Sequence, residues 1–542
     1  IWAAFDRDVA LVKASRLVIA VLLLYAVIRQ PASNRDIVLL SLGLLGVLLI
    51  LSFLIRYDAT MQPTDFGLID DLGQIWIAIR PQVQFTPLNP NVVAGITIFI
   101  LPILTVGLIE ALQQAHRARS FVYLLALTLL GIGLILTSSR FAWLSLFLAP
   151  LVSWLAFSWR RAWQAGGKKT KGLLVGIAIS VPLLILISIV IWGPVVAIFI
   201  RSIPGAPTMG ERTALYKHTL DLIHDYAFTG SGLATFSGIY SRYIRVIPFY
   251  YLHYSHNLYL DLALEQGVLG LIAMISLFGY TLIACLRALQ QEETKIITHR
   301  LAGWGSLIGF VSVMIHGFGD DPLYGMTGTP LLLLPSGLAL FYCGALQPIR
   351  ERVHISRSAP HHPSDVQNLW ILKPASLLTL SLLTFVFLFW RPLYSGFMAN
   401  LGAVKMSRAE LADWSGAGWN AIQNEKTMQS VMSDLERSLS ALPTQWSANY
   451  RIGLLSYSNG DFEHALGYLK RAQASNPSHR GVNKQLGYAY LWTGEVERGV
   501  NTLQSIPEIP DELSYYTWWW GTQDRDDLAQ LAEQAKATLA DQ

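Results

Sequence analysis

Long apolar runs separated by short polar loops fill the first 394 residues of the chain. A helix needs about 20 predominantly apolar residues to cross the hydrocarbon core of a bilayer. Ten runs approach that length, and the pattern predicts a membrane-spanning helix for each. They lie near residues 9–28, 37–55, 91–109, 121–137, 141–158, 173–200, 258–286, 301–318, 329–347 and 374–390. The first is the weakest candidate, because Lys13 and Arg16 lie in its opening turns.

The segment 56–90 has a different pattern. Its sequence QPTDFGLIDDLGQIWIAIRPQ places apolar residues near helical spacing, but acidic residues interrupt them. Such a pattern is typical of a helix that lies in the plane of the membrane interface. We therefore predict an interfacial helix here and not a span.

Basic loops orient the predicted spans. The loop after the fifth span, SWRRAWQAGGKKTK, carries five Lys and Arg and no acidic residue, and short basic loops lie on the cytoplasmic side. With this loop inside, every other basic loop of the alternation also falls inside. The outer side then receives residues 1–8, the segment 56–90, the turn 138–140, the loop 201–257 and everything after residue 391.

The last part of the chain, residues 395–542, repeats itself. A shift of 34 residues aligns Gly453 with Gly487, Leu469 with Leu503, and Pro443 with Pro477. Small residues at such positions let paired helices approach closely, and proline ends a helix. The period and the pattern resemble the tetratricopeptide repeat. We predict a tetratricopeptide array that either binds a peptide or protein partner or only caps the membrane body.

Composition agrees with two unlike parts. Hydrophobic residues make up 53% of the 542 residues and charged residues only 14%, whereas soluble domains carry about a quarter charged residues. Residues 1–394 contain 28 Lys and Arg against 19 Asp and Glu, but residues 395–542 contain 12 against 17. This excludes both a disordered chain and a single soluble enzyme. The predicted fold is all-α, with a polytopic membrane helix bundle (1–394) followed by a soluble helical array (395–542).

Three polar clusters fall on the predicted outer face, where charge beside an apolar bundle indicates function. Arg140 lies in the short turn LTSSRFAWL, although a snorkelling arginine is the alternative interpretation. Arg212 and Lys217 lie in GERTALYKHTLDLIHDYAFTGSGLATF, an amphipathic helix that a Gly-rich turn closes. The third cluster is HYSHNLYLDLALEQGVLGL, where the long outer loop enters the seventh predicted span.

The third cluster forms a polar stripe. His256 and Asn257 precede the helix, and Asn257, Asp261 and Glu265 recur every four residues, so they share one helix face. Such a stripe entering the bilayer faces a cavity or polar partners and not lipid. The alternative is a network that only packs against neighbouring helices.

Together the clusters supply two guanidinium groups and one imidazole on one side of the membrane. Arginine binds phosphate oxygens bidentately, and histidine accepts a proton near neutral pH. The combination suits an anionic, membrane-anchored substrate that a hydroxyl group attacks. No spacing of His, Asp and Glu matches a metal site, so we predict neither a metal nor a cofactor.

Four motifs occur in a fixed order. They are NPNVVAGI (89–96), TSSRFAW (137–143), ERTALYKHTLDLIHDYAFTGSGLATF (211–236) and SHNLYLDLALEQGVLGL (255–271), and HGFGDDPLYG (316–325) is similar to a fifth. In these motifs the chain resembles the O-antigen ligase and O-antigen polymerase superfamily, which includes bacterial protein O-oligosaccharyltransferases.

The resemblance implies a glycosyltransferase of the bacterial plasma membrane with its active site in the long outer loop. It implies a glycan donor on an undecaprenyl-diphosphate carrier, reaction without a metal, and inversion at the anomeric carbon. The family's loop histidine corresponds to His256, and its two pyrophosphate-binding arginines correspond to Arg140 and Arg212. Further candidate substrate-binding residues are Asn89, Asn91, Lys217, Asn257, Glu265, His316 and Asp320.

Two features depart from the family pattern. Family ligases carry about nine spans before the long loop, by the same span length, whereas six are predicted here, so we expect three more upstream. The tenth span and the outer tail are additions. They leave open whether the acceptor hydroxyl belongs to a lipid-anchored core, a growing glycan, or a Ser or Thr of a protein; the tail slightly favours a protein.

Two other classes of function stay open. In a transporter or flippase, Asp261, Glu265 and Asp320 would form a charge relay, but the spans show no internal duplication and the charges gather at the outer face. In a non-enzymatic scaffold, the body would only display the repeats, which leaves the arginine and histidine placement unexplained. No feature indicates a nucleic-acid partner.

Overall fold

The computed structural model describes residues 1–58, 67–81, 85–173, 206–249, 252–291, 297–325, 327–345, 369–412 and 422–541. Every regular element within these ranges is helical, which confirms the all-α prediction. The helices of the first part are α1 (Arg7–Ile28), α2 (Arg35–Ile55), α3 (Gly67–Ile79), α4 (Pro90–Gln113), α5 (Arg117–Leu136), α6 (Arg140–Ala165), α7 (Ala206–Asp225), α8 (Phe236–Tyr240), α9 (Leu258–Gln291), α10 (Ile297–His316), α11 (Leu334–Tyr342) and α12 (Leu369–Glu410).

Within the described ranges, six helices are long and apolar enough to cross a membrane: α1, α2, α4, α5, α6 and α9. They correspond to the first five predicted spans and to the seventh. The sixth predicted span lies outside the described residues. The tenth falls within α12, which has 42 residues. The eighth overlaps α10, which has 20 residues and ends two positions before the predicted span does. A multi-span membrane body is supported, and the count of ten stays a prediction.

The ninth predicted span, 329–347, is not one continuous helix. A 3₁₀ turn (Thr329–Leu331) precedes α11, whose nine residues rise only about 14 Å. Every residue of α11 is buried. Irregular backbone is tolerated at membrane depth when protein surrounds it, so burial on all sides allows this apolar run to be broken.

The predicted helix between the second and third spans is present as α3. It has 13 residues, too few to cross a bilayer. Trp76 Nε1 donates to Leu54 O and Arg80 Nη1 donates to Ile55 O, each at 2.7 Å. These bonds satisfy carbonyl groups that the end of α2 leaves without helical partners. The helix is confirmed, and its place at the interface stays a prediction.

Helix α10 packs against α4, α6 and α11 in the membrane body. Two glycines allow the closest contact: an added Cβ would lie 2.8 Å from Pro102 O at Gly305 and 2.5 Å from Phe99 O at Gly309. Small residues four positions apart let membrane helices approach backbone to backbone. Because α10 ends at His316, this packing fixes where the following loop begins.

The tail begins on the same helix that carries the tenth predicted span. Helix α12 departs from helical geometry at Phe389 and continues to Glu410, so the predicted boundary at residues 394 and 395 falls inside a helix. The tail helices are α13 (Glu425–Ala441), α14 (Trp446–Ser458), α15 (Phe462–Ser475), α16 (Arg480–Trp492), α17 (Val496–Leu503), α18 (Ile509–Thr522) and α19 (Asp526–Ala540).

The helices α14 to α19 pack as consecutive pairs. A Cβ on Gly453 of α14 would lie 2.9 Å from Leu469 Cγ of α15, and one on Gly487 of α16 would lie 2.4 Å from Leu503 Cγ of α17. The same contact thus recurs at the interval of 34 seen in the sequence. It supports repeated helix hairpins, while the tetratricopeptide assignment stays a prediction.

One hydrophobic core joins the segment 206–249 to the tail. It contains residues of α7 and α8, the first turns of α9, the end of α12, and α13 to α16. Two buried ion pairs cross it: Arg451 with Asp225 at 2.8 Å and Arg242 with Glu410 at 2.9 Å. The tail is therefore packed as one unit with the loop that carries candidate site residues.

Candidate functional site

Three distant segments meet at the loop that follows α10. Arg212 of α7 donates from Nη1 to Gly319 O at 2.6 Å. The Tyr216 hydroxyl, one turn further along α7, lies 3.1 Å from both His256 O and Phe318 O. The loop 318–320 therefore brings Arg212 close to the histidine segment, although the two are far apart in the sequence.

His256 has a left-handed backbone, with φ of 57°, which a non-glycine residue adopts only when its surroundings enforce it. Its Nδ1 lies 3.3 Å from Asp320 Oδ1, and the Tyr254 ring packs at 4.6 Å between centroids. The side chain is 24% exposed. Because Nδ1 faces the carboxylate, Nε2 is the nitrogen left to act on a substrate.

Two adjacent carboxyl groups differ in their acidity. Burial alone would raise the pKa of Asp320, but the hydrogen bond with His256 and the neighbouring basic side chains outweigh it and lower that pKa. Burial and the charges of Asp261 and Asp320 raise the pKa of Asp321 well above its usual range. Asp320 is thus the ionised partner of His256, and Asp321 keeps its proton to a higher pH.

Phe141 supports the arginine side of the cluster. The Arg212 guanidinium lies over its ring, 5.4 Å from the centroid. A Cβ on Gly319 would lie 2.1 Å from Phe141 Cδ1, so the ring fills the space beside this loop. Arg140, its neighbour in sequence, is the exposed first residue of α6. Phe141 thus packs against Arg212 and directly follows Arg140 in the sequence.

Three other predicted site residues take different places. Asn257 caps α9, since its Oδ1 accepts from Tyr259 N and Leu260 N at 3.0 and 3.1 Å, and its Nδ2 donates to Phe318 O. His316 is buried at the end of α10, where its carbonyl accepts from the amides of residues 319 and 320. Lys217 is exposed on α7. Asn257 and His316 thus shape the loops around His256.

A cavity of about 520 Å³ lies beside this cluster. Its walls come from α1, the start of α4, residues around α8, the first turns of α9 and the loop after α10. The predicted residues Asn89, Asn91, Glu265 and Asp320 line it, whereas Arg140, Arg212 and His256 do not. Asn89 Nδ2 also donates to the Tyr254 hydroxyl at 3.3 Å. The predicted residues therefore form two groups that meet at Asp320.

The polar stripe of α9 lies on the first turns of that helix, before Gly267. Gly267, with φ of 72° and ψ of 179°, interrupts the helical geometry. The Gly-rich turn packs against this break, because Ser231 N donates to Leu264 O and Gly232 N donates to Glu265 O. Asp261 and Glu265, which line the cavity, precede this break, and the long apolar part of α9 follows it.

Lys13 neutralises Glu265. Its Nζ lies 2.7 Å from Glu265 Oε2, and neither side chain is more than 5% exposed. The ammonium group also lies 3.8 Å from the centroid of the Tyr324 ring, and Ala234 N donates to Glu265 Oε1. In the sequence Lys13 only weakens the first predicted span. The available signal was its position, since a basic residue inside an apolar helix implies a buried partner.

The cavity carboxyl groups are engaged with protein partners. Asp320 pairs with His256, Glu265 with Lys13, and Asp321 hydrogen-bonds Asp261. Among the described residues, no group of three or more His, Cys, Asp or Glu side chains is arranged to hold a metal ion.

Comparison with known families gives one finding. Residues 125–275 match the model of the family described as O-Antigen ligase. The match supports the resemblance of this chain to the O-antigen ligase superfamily. Together with the multi-span body, it supports a membrane glycosyltransferase of the O-antigen ligase type. A comparison with curated proteins gave no match.

The matched range contains only part of the cluster. It includes Arg140, Arg212, His256 and Glu265 and ends before the loop 318–320. Sequence reasoning missed the residues that join these parts, namely Lys13, Phe141, Tyr216, Tyr254 and Asp321. Phe141, Tyr254 and Asp321 are within two positions of a predicted residue, and Tyr216 is one helical turn from Arg212, so proximity in sequence was the available signal.

Proposed function

We propose that the chain transfers a glycan from a membrane-anchored lipid diphosphate to an acceptor hydroxyl on the outer face of the membrane. The observation that carries the proposal is the meeting of Arg212 and His256 at the loop 318–320. A phosphate-binding group and a proton acceptor from two different segments contact this one loop, beside a cavity of about 520 Å³.

Arg140 and Arg212 bind the diphosphate of the donor. Arginine pairs with phosphate oxygens bidentately and stays charged at any relevant pH. Negative charge grows on the diphosphate as its bond to the sugar breaks. Guanidinium groups placed there stabilise the transition state more than the ground state. The Phe141 ring restricts where the Arg212 guanidinium can lie.

His256 activates the acceptor. Its Nε2 takes the proton of the acceptor hydroxyl while the oxygen attacks the anomeric carbon of the donor sugar. The new carbon–oxygen bond forms as the bond to the diphosphate breaks, the diphosphate leaves with the electron pair, and the anomeric configuration inverts. Asp320 holds Nδ1 and stabilises the imidazolium that forms.

The other predicted residues act around these three. Asn89, Asn91 and Asp320 bind the substrate from the cavity wall, whereas Asn257, Glu265 and His316 hold the surrounding segments in place. The exposed ammonium of Lys217 adds positive charge on the helix that carries Arg212.

The motif resemblance supports undecaprenyl diphosphate as the carrier, the bacterial plasma membrane as the location, and reaction without a metal. The core that α7 and α9 share with α13 to α16 supports a tail on the same, extracytoplasmic side as the site. A lipid-anchored core, a growing glycan and a protein are the acceptors to compare. The repeated hairpins of the tail offer a surface for a protein partner.

A transfer assay with purified full-length protein tests the proposal. It uses undecaprenyl-diphosphate-linked glycan as donor, a panel of glycan, lipid and peptide acceptors, and parallel reactions with a chelator. We expect His256→Ala and Arg212→Ala each to lower the transfer rate by about 100-fold or more. Exposed residues of the same types in the tail supply matched controls, Arg498→Ala and His464→Ala. Wild-type protein that consumes no donor with any acceptor would overturn the proposal.

A further inference from the structure

The cavity beside His256 has an acidic wall. Five carboxyl groups line it, those of Asp6, Asp261, Glu265, Asp320 and Asp321. Among the described lining residues, Lys13 and His253 are the basic ones. Lys13 is committed to Glu265 through a buried ion pair. Asp321 keeps its proton and hydrogen-bonds Asp261. The excess of negative charge in the cavity therefore comes from Asp6, Asp261 and Asp320.

The positive charge of the site lies elsewhere. Arg212 is bonded to Gly319 O and stacked on Phe141, and neither it nor Arg140 lines the cavity. Asp320 stands between the two regions, since it pairs with His256 and also lines the cavity. A diphosphate is attracted to the arginine side and repelled by the acidic side. The two substrates of the transfer are thereby separated by charge.

The cavity also offers neutral hydrogen-bonding groups and ring faces. Asn89, Asn91, Ser237 and Tyr254 line it. Their amides and hydroxyls both donate and accept, and carboxylates accept hydrogen bonds from hydroxyl groups. Phe5 adds a second aromatic side chain beside Tyr254. A volume of about 520 Å³ is within the range of small-molecule pockets. This combination matches a polyhydroxylated, uncharged molecule.

We propose that this cavity holds the acceptor, and that the part of the acceptor that enters it is an uncharged sugar. The inference rests on the proposed function and narrows it, because it names the acceptor chemistry. A phosphorylated or carboxylated sugar is disfavoured by repulsion from the wall. The hydroxyl to be glycosylated is presented past Asp320 toward His256.

The test compares matched acceptors in the transfer assay. One is a neutral oligosaccharide, the second is the same oligosaccharide with one phosphate monoester away from the accepting hydroxyl, and the third is an uncharged Ser-containing peptide. We expect kcat/KM for the phosphorylated sugar to be at least about tenfold below that for the neutral sugar at low salt. The difference should narrow at high ionic strength, since salt screens exposed charges.

Variants that change the charge at exposed residues lining the cavity provide a second test. Thr327 is exposed and lines the cavity. Thr327→Lys should raise the ratio of kcat/KM for phosphorylated over neutral sugar by about tenfold, and Thr327→Glu should lower it. Val9→Lys, at another exposed lining position, should act like Thr327→Lys if that variant folds poorly. Thr522→Lys, in the exposed surface of the tail, should leave the ratio unchanged.

The outcomes distinguish a failure of this inference from a failure of the proposed function. If donor is consumed and kcat/KM is equal for the neutral and the phosphorylated sugar, only the charge assignment is overturned. The same holds if the ratio of the two kcat/KM values does not change in Thr327→Lys and Thr327→Glu. Transfer to the peptide but not to the neutral sugar overturns the sugar assignment. Absence of donor consumption with every acceptor overturns the proposed function, and this inference with it.

Discussion

Arg451 of the tail and Asp225 of α7 form an ion pair at 2.8 Å in which both side chains are fully buried. Asp225 is the last residue of α7, and Asn476 of the tail also donates to Asp221 on this helix. Toward the opposite end of α7, Arg212 bonds to the loop 318–320. The tail thus holds one end of the helix whose other end presents a candidate ligand for the diphosphate.

Replacing Arg451 with leucine should strongly destabilise the tail and the helices α7 and α8 that share its core. Removing one member of a buried pair leaves an uncompensated charge, which costs about 3–5 kcal/mol. Chemical unfolding of the purified protein measures the loss, and limited proteolysis should show earlier cleavage in the tail. Arg498→Leu breaks an exposed pair with Glu495 and should cost less than about 1 kcal/mol. Equal losses in the two variants would contradict this role of the Arg451 pair.

Replacing Asp320 and replacing Asp321 with asparagine should have different effects on kcat. Asp320→Asn removes the ionised partner of His256 and should lower kcat by about 100-fold or more, because an unoriented imidazole is a poor base. Asp321→Asn replaces a carboxyl group with raised pKa by a neutral group that can still donate to Asp261, so kcat should change by less than about fivefold. Steady-state kinetics with the glycan donor decide between these outcomes. A reversed order would contradict the assignment of Asp320.

Gly319 is a steric requirement of the site. Gly319→Ala would place a methyl group 2.1 Å from Phe141 Cδ1, and overpacking of this kind costs about 1–3 kcal/mol. We expect a lower melting temperature and a higher KM for the donor, because Arg212 bonds to the carbonyl of this residue. Gly279→Ala is the matched control, since a Cβ there meets nothing within 4 Å. An unchanged KM in Gly319→Ala would contradict the link to Arg212.

The free energy of unfolding of the tail should decrease at acidic pH. His479 Nδ1 accepts from Val482 N and caps α16, and burial lowers the pKa of His479 to about 3. The pKa of the unfolded residue is about 6.5. Between these values the unfolded chain binds a proton that the folded chain does not, so stability falls as the pH drops below about 6.5. Burial lowers the pKa of His218 to about 4, which acts in the same direction.

Thermal unfolding at pH 7.5 and pH 5 measures this effect. The His479 contribution between pH 6.5 and 5 is at most about 2 kcal/mol. His479→Asn keeps a side chain that caps helices well and removes the titration, so its melting temperature should fall less between the two pH values than that of the wild type. His464→Asn, at an exposed position, should follow the wild type. Identical pH dependence of His479→Asn and the wild type would contradict the assignment.

The sequence predicts the helices of the membrane body because crossing a bilayer imposes a length and an apolarity that are visible locally. The break before α11 was not visible, since a buried irregular segment is as apolar as a spanning helix. The turn at Gly267 was missed for a similar reason. Its positive φ is imposed by contact with the Gly-rich turn around Gly230, and that contact depends on tertiary packing.

For the site, local sequence gave the residue types but not their partners. Lys13 and Glu265 are separated by 252 positions, and a single sequence carries no signal of such a pair. The division of the predicted residues into an arginine side and a cavity side is likewise a property of the assembled bundle. Asn257 and Glu265 were placed on one helix face by their spacing, and only Glu265 lines the cavity.

Helix α12 runs from the tenth predicted span to Glu410, which is fixed to Arg242, shortly after α8, by a buried bidentate contact. A tail attached in this way cannot swing on a flexible tether. Each hairpin of the tail therefore holds its surface at its own fixed distance from His256.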